Sequence, residues 1–340
     1  MTDALATRQR ELEAWAVHAY GEGPRVEGLA VMPGHAGLSF GFRVVDGDGA
    51  VIDDLVMRVP PKGVRRSGNT DVLRQVPLLQ ALRRRGVPVA RVVWWDEDER
   101  WFEVPFTMVE RLPGDTFVVR TIAESEDRER AVERARTVFR QAAEALAAVH
   151  SVPWREELEG WEEPKHLPDE VVFWDRLLER AAASEWAADA HRTRDLLLAS
   201  VPGDPEVGIF HGDFQTNNIL FEHDALVAVL DWEICGIGAQ LLDVGWLLMM
   251  NDPASWWDGE GLGIAPPFAD IVDWYANAAG RSVSLDDVAW YRALSGYRFG
   301  VISCFNVMLH RTGKRHDPEW DRIAPSIPHL FGRAADLLEA

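Results

Sequence analysis

Residues 211–218 form a polar loop with the sequence HGDFQTNN, and two short apolar runs follow it. The runs flank a polar turn at 222–225, a pattern that predicts a β-hairpin. Opposite residues of an antiparallel pair have position numbers with a constant sum, so this hairpin would bring Asn218 and Asp231 together. The stretch therefore restricts the fold more than any other part of the chain.

The same stretch carries the residues expected to bind a metal ion. Asp213 lies in the loop just before the hairpin and adds a carboxylate to Asn218 and Asp231. The neighbouring sequence offers no Lys or Arg that would neutralise these groups. Clustered carboxylates and amides suit a hard divalent cation such as Mg²⁺, and they are costly as mere structure.

The motif His-Gly-Asp-x-x-x-x-Asn, the hairpin and the later Asp resemble the aminoglycoside phosphotransferase family. Members are small-molecule kinases with a protein-kinase-like fold, and protein kinases carry a related loop and a later Asp-Phe-Gly. The resemblance implies that Asp213 orients the acceptor hydroxyl and takes its proton. It implies that Asn218 and Asp231 hold Mg²⁺ against the nucleotide phosphates. Asp243 matches the position that braces the catalytic loop, and a helix N-terminal cap is the alternative interpretation.

The resemblance also implies nucleotide contacts in the first part of the chain. Gly37 and Ser39 lie where the family has its phosphate-covering loop, and an ordinary hairpin turn is the alternative. Arg58 stands at the third-strand position of the phosphate-binding Lys, or else is an exposed residue of an edge strand. Val109 and Arg111 belong to the expected hinge, whose backbone would bind the purine edge.

The expected fold class is α+β, a bilobal protein-kinase-like fold. Apolar periodicity predicts an N-terminal five-stranded antiparallel sheet with a helix that begins near Gln75 or kinks at Pro77. A mostly helical lobe with the inserted hairpin follows. The expected parts are a nucleotide-binding lobe at 1–108, a hinge at 109–114 and a catalytic and substrate-binding lobe at 115–340.

Two departures from the family pattern bear on these expectations. Gln75 stands where a Glu usually pairs with the third-strand cation, which puts that ion pair in doubt. Residues 236–240 read GIGAQ where many relatives have Gly-Asp-Pro, and we interpret them as a variable loop. Trp256 and Trp257 are expected to pack in the core or between the lobes rather than form a stacking platform.

Charge and cysteine content exclude other classes. The formal net charge of −20 gives a surface that repels phosphate backbones, which argues against nucleic-acid binding. Cys235 and Cys304 are too few for a disulfide framework or a cysteine-based zinc site. The sequence shows neither a signal-peptide core nor a long apolar run, so it predicts a cytoplasmic protein without a membrane segment.

These observations predict a Mg²⁺-dependent phosphotransferase that moves the γ-phosphate of ATP or GTP to a hydroxyl of a small molecule. The acceptor, an aminoglycoside-like antibiotic or a metabolite, stays open, as do the nucleotide and the oligomeric state. One alternative is a non-catalytic nucleotide-binding or scaffold protein on the same fold. Another is a metal-dependent hydrolase that uses His211, Asp213, Asp231 and Asp243.

Overall fold

The computed structural model describes residues 2–32, 38–63, 68–181 and 185–340, and the expectation for Gly37 lies outside them. The chain divides into two compact units: the first comprises Met1–Gly114 with Val227–Ile234, and the second Asp115–Leu226 with Cys235–Ala340. The lobe bounds and the hinge at 109–114 stay predictions. None of the helices in the described ranges is long and apolar enough to cross a membrane.

The first unit combines helices with an antiparallel sheet. Its elements are α1 (Thr2–Tyr20), β1 (Arg25–Val31), β2 (Leu38–Val45), β3 (Val51–Val59), α2 (Gln75–Arg84), β4 (Val92–Asp96) and β5 (Phe106–Glu110). Within the described residues five strands pair in the order β1-β2-β3-β5-β4. The predicted five-stranded sheet is therefore confirmed.

Alternation in β2 explains how this sheet acquires a core. Phe40, Phe42 and Val44 are buried on one face, because successive strand residues point to opposite faces. Trp15 of α1 covers that face and meets Phe42 edge to face, with ring centroids 6.2 Å apart. Burial of each such large apolar side chain contributes about 1.5–3 kcal/mol.

Helix α2 begins at Gln75, so the first of the two predicted alternatives is correct. Pro77 lies in its first turn, where the missing N–H removes no intrahelical hydrogen bond.

Beyond Gly114 the chain is mostly helical, as predicted. Its elements are β6 (Asp115–Thr116), α3 (Val119–Ser125), α4 (Arg128–His150), α5 (Trp154–Glu157), α6 (Leu167–Phe173), α7 (Asp175–Arg180), α8 (Ala187–Ala199), β7 (Val207–Phe210), β8 (Ile219–Glu222), β9 (Ala225–Val229), β10 (Gly236–Ala239), α9 (Leu241–Met250), α10 (Phe268–Ala279), α11 (Leu285–Arg311), α12 (Glu319–Ile323) and α13 (Ile327–Glu339).

The predicted hairpin is formed by β8 and β9, which continue a small sheet in the order β6-β8-β9. His223 and Asp224 join the two strands, and both have left-handed backbone angles, with φ of 51° and 61°. Two such residues are the requirement of a type I′ turn, which matches the twist of the flanking strands.

The interpretation of residues 236–240 as a variable loop is wrong. Residues Gly236–Ala239 form strand β10, which pairs antiparallel with β7. Strand patterning missed it because glycine has a low strand propensity. The glycines have a packing reason here: a Cβ on Gly208 would stand 2.2 Å from Gln240 Nε2, and one on Gly236 would stand 2.8 Å from the Phe210 ring.

Candidate active site

The polar loop 211–218 is anchored by a buried carboxylate from helix α9. The Oδ2 atom of Asp243 accepts the backbone N–H of His211 at 2.7 Å, and its Oδ1 accepts that of Gly212 at 2.7 Å. Gly212 has a φ of 88°, a conformation that favours glycine. The Asp243 residue is fully buried and lies in the first turn of α9. The bracing contact that the resemblance implied is thus present in the structure.

A buried histidine supports that carboxylate. His150, the last residue of α4, places Nε2 3.2 Å from Asp243 Oδ2 and Nδ1 2.8 Å from the Tyr275 hydroxyl. Burial lowers the pKa of His150, although the nearby Asp243 opposes this shift. The imidazole is therefore neutral at pH 7, so that Nε2–H donates to Asp243 and Nδ1 accepts the Tyr275 O–H.

The pKa of Asp243 is also displaced. Burial alone would raise it, but the hydrogen bond from His150 and the contacts with His211 outweigh burial and hold the pKa below its ordinary value. An ionised carboxylate therefore holds the loop backbone. Sequence reasoning missed His150, because only the long-range contact with Asp243 distinguishes it from any residue at a helix end.

The Asp213 carboxylate is held by three side-chain donors. Trp246 Nε1–H donates to Oδ1 at 2.8 Å, and the Gln215 amide donates to the same oxygen at 2.7 Å. The Asn218 amide donates to Oδ2 at 2.8 Å. These contacts fix the orientation of a half-buried carboxylate on the braced loop. Sequence analysis missed Trp246, which lies on α9 one turn after Asp243.

Asn218 has the geometry expected of a cation ligand. Its Nδ2 donates to the carboxylate and, at 2.9 Å, to the backbone carbonyl of Asp213. Both donors of the amide are used towards Asp213, so Oδ1 points the other way and is the atom that a cation would contact. The donor set of carboxylate and amide oxygens fits Mg²⁺.

Arg58 and Asp231 lie in the first unit and pair with each other. The Nη1 atom of Arg58 lies 3.4 Å from Asp231 Oδ1, and Nη2 lies 3.0 Å from Glu233 Oε2. Glu233 thus supplies a carboxylate partner that sequence analysis missed, while Gln75 is buried. Asp231 has a φ of 61°, a left-handed conformation that Asp tolerates better than most residues.

The alternative interpretation of Arg58 as an edge-strand residue is wrong. Strand β3 lies in the middle of the sheet, between β2 and β5. A cation on a central strand needs an anionic partner, because burial among apolar neighbours disfavours an isolated charge. Ser39 lies opposite Arg58 in the register of β2 and β3. The structure therefore places these two candidate phosphate contacts side by side.

The two expected hinge residues, Val109 and Arg111, differ in the backbone contacts that they already make. Val109 lies within β5, opposite Val56 of β3 and Val92 of β4. The backbone N–H of Arg111 donates to Asp54 O at 2.8 Å, and its side chain pairs with the Asp54 carboxylate at 3.0 Å. A purine would therefore have to bind other backbone groups of this segment than the Arg111 N–H.

His211 lacks the exposure that a base or metal ligand requires. It is fully buried, and its Nδ1 accepts the backbone N–H of Asp213 at 3.2 Å. This role in shaping the loop removes the histidine on which the hydrolase alternative depended. In the described part of the chain, no group of three or more His, Cys, Asp or Glu is arranged to hold a metal ion.

The family comparison agrees with the fold and the loop. The model of the phosphotransferase enzyme family matches residues 30–285, and the chain therefore belongs to that family. Among solved structures, a protein from Ralstonia eutropha JMP134 described as a "putative aminoglycoside phosphotransferase" superposes with a TM-score of 0.74. It is 20% identical, and the match covers 96% of this chain and 98% of that one.

Other solved structures share the kinase-like fold. A choline/ethanolamine kinase family protein from Mesorhizobium loti gives a TM-score of 0.61 at 17% identity, covering 98% of this chain and 94% of the other. A ternary complex of the aminoglycoside phosphotransferase APH(4)-Ia with ADP and hygromycin B gives 0.62 at 14% identity, covering 97% and 98%. The resemblance and the fold class predicted from sequence are thereby confirmed.

The curated relatives are longer than the segment that this chain matches. Acyl-CoA dehydrogenase family member 11 from Gallus gallus is 26% identical over 261 residues, which is 73% of this chain and 33% of that protein. The protein of the same name from Homo sapiens is 25% identical over 262 residues, 73% of this chain and 32% of its own length. The chain thus matches about a third of the length of these relatives.

Proposed function

We propose that the protein is a kinase that moves the γ-phosphate of ATP or GTP to a hydroxyl of a small molecule. The observation that carries this proposal is the Asp213 carboxylate, held by three donors on a loop braced by Asp243. Phosphoryl transfer has a loose transition state and depends on positioning more than on base strength. A carboxylate fixed in one orientation meets that need, so Asp213 would orient the acceptor hydroxyl and receive its proton.

The comparisons support a nucleotide and a small-molecule acceptor as the partners. One neighbour of the same fold is in complex with ADP and hygromycin B, and another, aminoglycoside 2'-phosphotransferase-IIIa, is in complex with GDP. Membership of the phosphotransferase enzyme family supports group transfer as the reaction.

We assign the Mg²⁺ ligands to the Oδ1 atom of Asn218 and the carboxylate of Asp231. The bound cation would neutralise charge on the nucleotide phosphates. Arg58 would lie beside these phosphates, since its guanidinium already pairs with Asp231 and with Glu233. Ser39, its neighbour across the strand pair, would add a hydroxyl contact.

The proposal also includes the other nucleotide-binding residues and the bounds of the two lobes. Gly37 would belong to the phosphate-covering loop, and backbone groups around Val109 and Arg111, other than the Arg111 N–H, would bind the purine. Residues 1–108 would form the nucleotide lobe, 109–114 the hinge and 115–340 the acceptor lobe. The proposed location is the cytoplasm.

The test is transfer of label from γ-labelled ATP or GTP, with Mg²⁺, to a panel of small hydroxyl compounds. We expect Asp213→Asn to lower the transfer rate by about 10²–10⁴-fold while nucleotide affinity stays within twofold of wild type. The control is Asp195→Asn, at an exposed carboxylate paired with Arg194, and it should transfer at the wild-type rate. Transfer that survives Asp213→Asn would overturn the assignment.

A further inference from the structure

Arg298 on helix α11 is a buried arginine without a carboxylate partner. It is 4% exposed, and its guanidinium lies between the rings of Trp174 and Trp246, with its Cζ 4.9 and 4.8 Å from their centroids. Its Nε atom is buried and meets no hydrogen-bond acceptor among the described residues, and no described carboxylate lies within ion-pair distance of its guanidinium. Buried charges are ordinarily paired, so this one needs a partner.

A second buried arginine on the same helix shows the usual arrangement. Arg292 is 7% exposed, and its Nη2 lies 2.7 Å from Asp252 Oδ2. Arg333 binds the same carboxylate oxygen at 2.8 Å. The bundle therefore supplies a carboxylate where a cation is part of the permanent core. The Nε atom of Arg292 is also buried without an acceptor among the described residues, so the two positions differ in the carboxylate at the terminal nitrogen and not at Nε.

Two indole N–H groups of the second unit also lack acceptors among the described residues, and one of them belongs to Trp174, whose ring the Arg298 guanidinium faces. Trp174 Nε1 and Trp256 Nε1 are buried without a hydrogen-bond partner among the described residues. Trp256 packs on Phe299, with ring centroids 5.6 Å apart, and Phe299 packs in turn on Trp246 at 5.9 Å. Trp256 is therefore separated from Arg298 by two other rings, whereas Trp174 contacts Arg298 directly. The unpaired groups of Arg298 and Trp174 are both donors, so a ligand that satisfies them must bring acceptors.

This cluster adjoins the catalytic loop through one ring. The face of Trp246 supports the Arg298 guanidinium, and the N–H of the same indole donates to Asp213 Oδ1 at 2.8 Å. Asp213 and Arg298 therefore both contact the same indole, that of Trp246. All of these groups belong to the second compact unit.

We infer that Arg298 and Trp174 bind an anionic group, a carboxylate or a phosphate, carried by the acceptor substrate. The inference rests on the proposed phosphotransferase function and deepens it, because it names the charge of the acceptor. The guanidinium gives charge-assisted hydrogen bonds to oxygens of either anion, and the Trp174 indole gives a neutral one. A polycationic acceptor would instead place like charge against a buried arginine.

Matched pairs of ligands test the inference by binding, without nucleotide. Glycerate and 3-hydroxybutyrate are compared by calorimetry with their primary amides, and glycerol 3-phosphate with glycerol. Acetate and inorganic phosphate serve as minimal anions. We expect each anionic ligand to bind wild-type protein at least about tenfold more tightly than its neutral match, in line with a charged hydrogen bond.

Two variants and a control locate the effect. Arg298→Gln should abolish the preference for the anionic member of each pair. Trp174→Phe keeps an aromatic ring and removes one N–H, and it should reduce the preference severalfold even if the Arg298 variant does not fold. Arg333→Gln removes an arginine that already has a carboxylate partner, and it should leave the preference unchanged.

Three results would overturn the inference: equal binding of anionic and neutral ligands, no binding of any anion, or a preference that survives both variants. An Arg298 variant that loses affinity for ATP–Mg²⁺ rather than for the acceptor would also overturn it, since the anion would then be a nucleotide phosphate. Failure of the proposed function has a separate signature. In that case wild-type protein binds no nucleotide and transfers no label, whatever the calorimetry shows.

Discussion

Replacing Asp243 by Asn tests how much the buried carboxylate contributes to the loop that carries Asp213. The carboxylate accepts the N–H groups of His211 and Gly212 at 2.7 Å each and a third contact from His150 at 3.2 Å. An Asn side chain keeps one acceptor oxygen and turns an NH₂ group towards a backbone N–H. The substitution therefore removes a charge and sets donor against donor.

The expected magnitude follows from those contacts. Loss of one charge-assisted hydrogen bond costs about 1.5–3 kcal/mol, and the backbone N–H left unpaired costs about 1–3 kcal/mol more. We expect the free energy of unfolding to fall by about 3–5 kcal/mol at pH 7, the range found when one member of a buried pair is removed. Phosphate transfer should fall as well, because the braced loop orients Asp213.

The stability that the Asp243 carboxylate contributes depends on pH. The pKa of the Asp243 carboxyl is depressed in the folded protein, so its contribution is complete above the unfolded pKa and is lost as pH falls through the folded one. The difference between wild type and Asp243→Asn should therefore shrink below about pH 4, whereas changes between about pH 5 and 7 come from titration of the neighbouring His150.

Urea unfolding followed by tryptophan fluorescence, at pH values from 7 down to 3, measures this difference. The exposed Asp195→Asn variant is the control for loss of one carboxylate. A loss below about 1 kcal/mol at pH 7 would refute the reasoning, since it lies under the range for a single charged hydrogen bond. A difference that does not shrink below about pH 4 would refute the direction of the pKa shift.

Three further substitutions probe packing, at Gly245 and Gly332, and protonation, at His150. A Cβ at Gly245 would stand 2.5 Å from the backbone of α11, whereas one at Gly332 in α13 meets nothing within 4 Å. We expect Gly245→Ala to cost about 2 kcal/mol or more and Gly332→Ala to gain up to about 1 kcal/mol, and equal thermal midpoints would contradict this. Burial lowers the pKa of His150, so wild type loses stability as pH falls below about 6.5. His150→Gln should lose less, by up to about 1.4 kcal/mol per pH unit, and urea unfolding curves that stay parallel from pH 7.5 to 5 would disprove it.

Local chemistry explains what the sequence could predict. Pro77 restricts where a helix can begin, and α2 begins two residues before it, at Gln75. The apolar runs around the polar turn predict the hairpin, and His223 and Asp224 adopt the left-handed conformation that its short turn requires. In each case the decisive residues lie within a few positions of the feature that they determine.

Contacts between distant residues explain what the sequence could not predict. Glu233 pairs with Arg58 across 175 positions, and His150 meets Asp243 across 93. No periodicity or turn signal records such pairs, because they arise only when separate elements pack. Strand β10 was missed for a related reason, since its glycines lower strand propensity and are explained only by the Phe210 ring packed against them.

The overall charge of the chain and the charge of its candidate acceptor site lead to opposite expectations. A net charge of −20 attracts cations to the surface, but salt screens such interactions beyond about 8 Å. Arg298 is 4% exposed, and a contact with it is screened far less because water is largely excluded. The sign of the acceptor is therefore decided at Arg298 rather than by the total charge. A polycation would be attracted to the negatively charged surface but repelled by Arg298. An anionic hydroxyl compound would be repelled by the surface but would bind favourably at Arg298. Rising ionic strength should accordingly strengthen the apparent affinity for an anionic acceptor, since it screens the repulsive surface more than the buried contact.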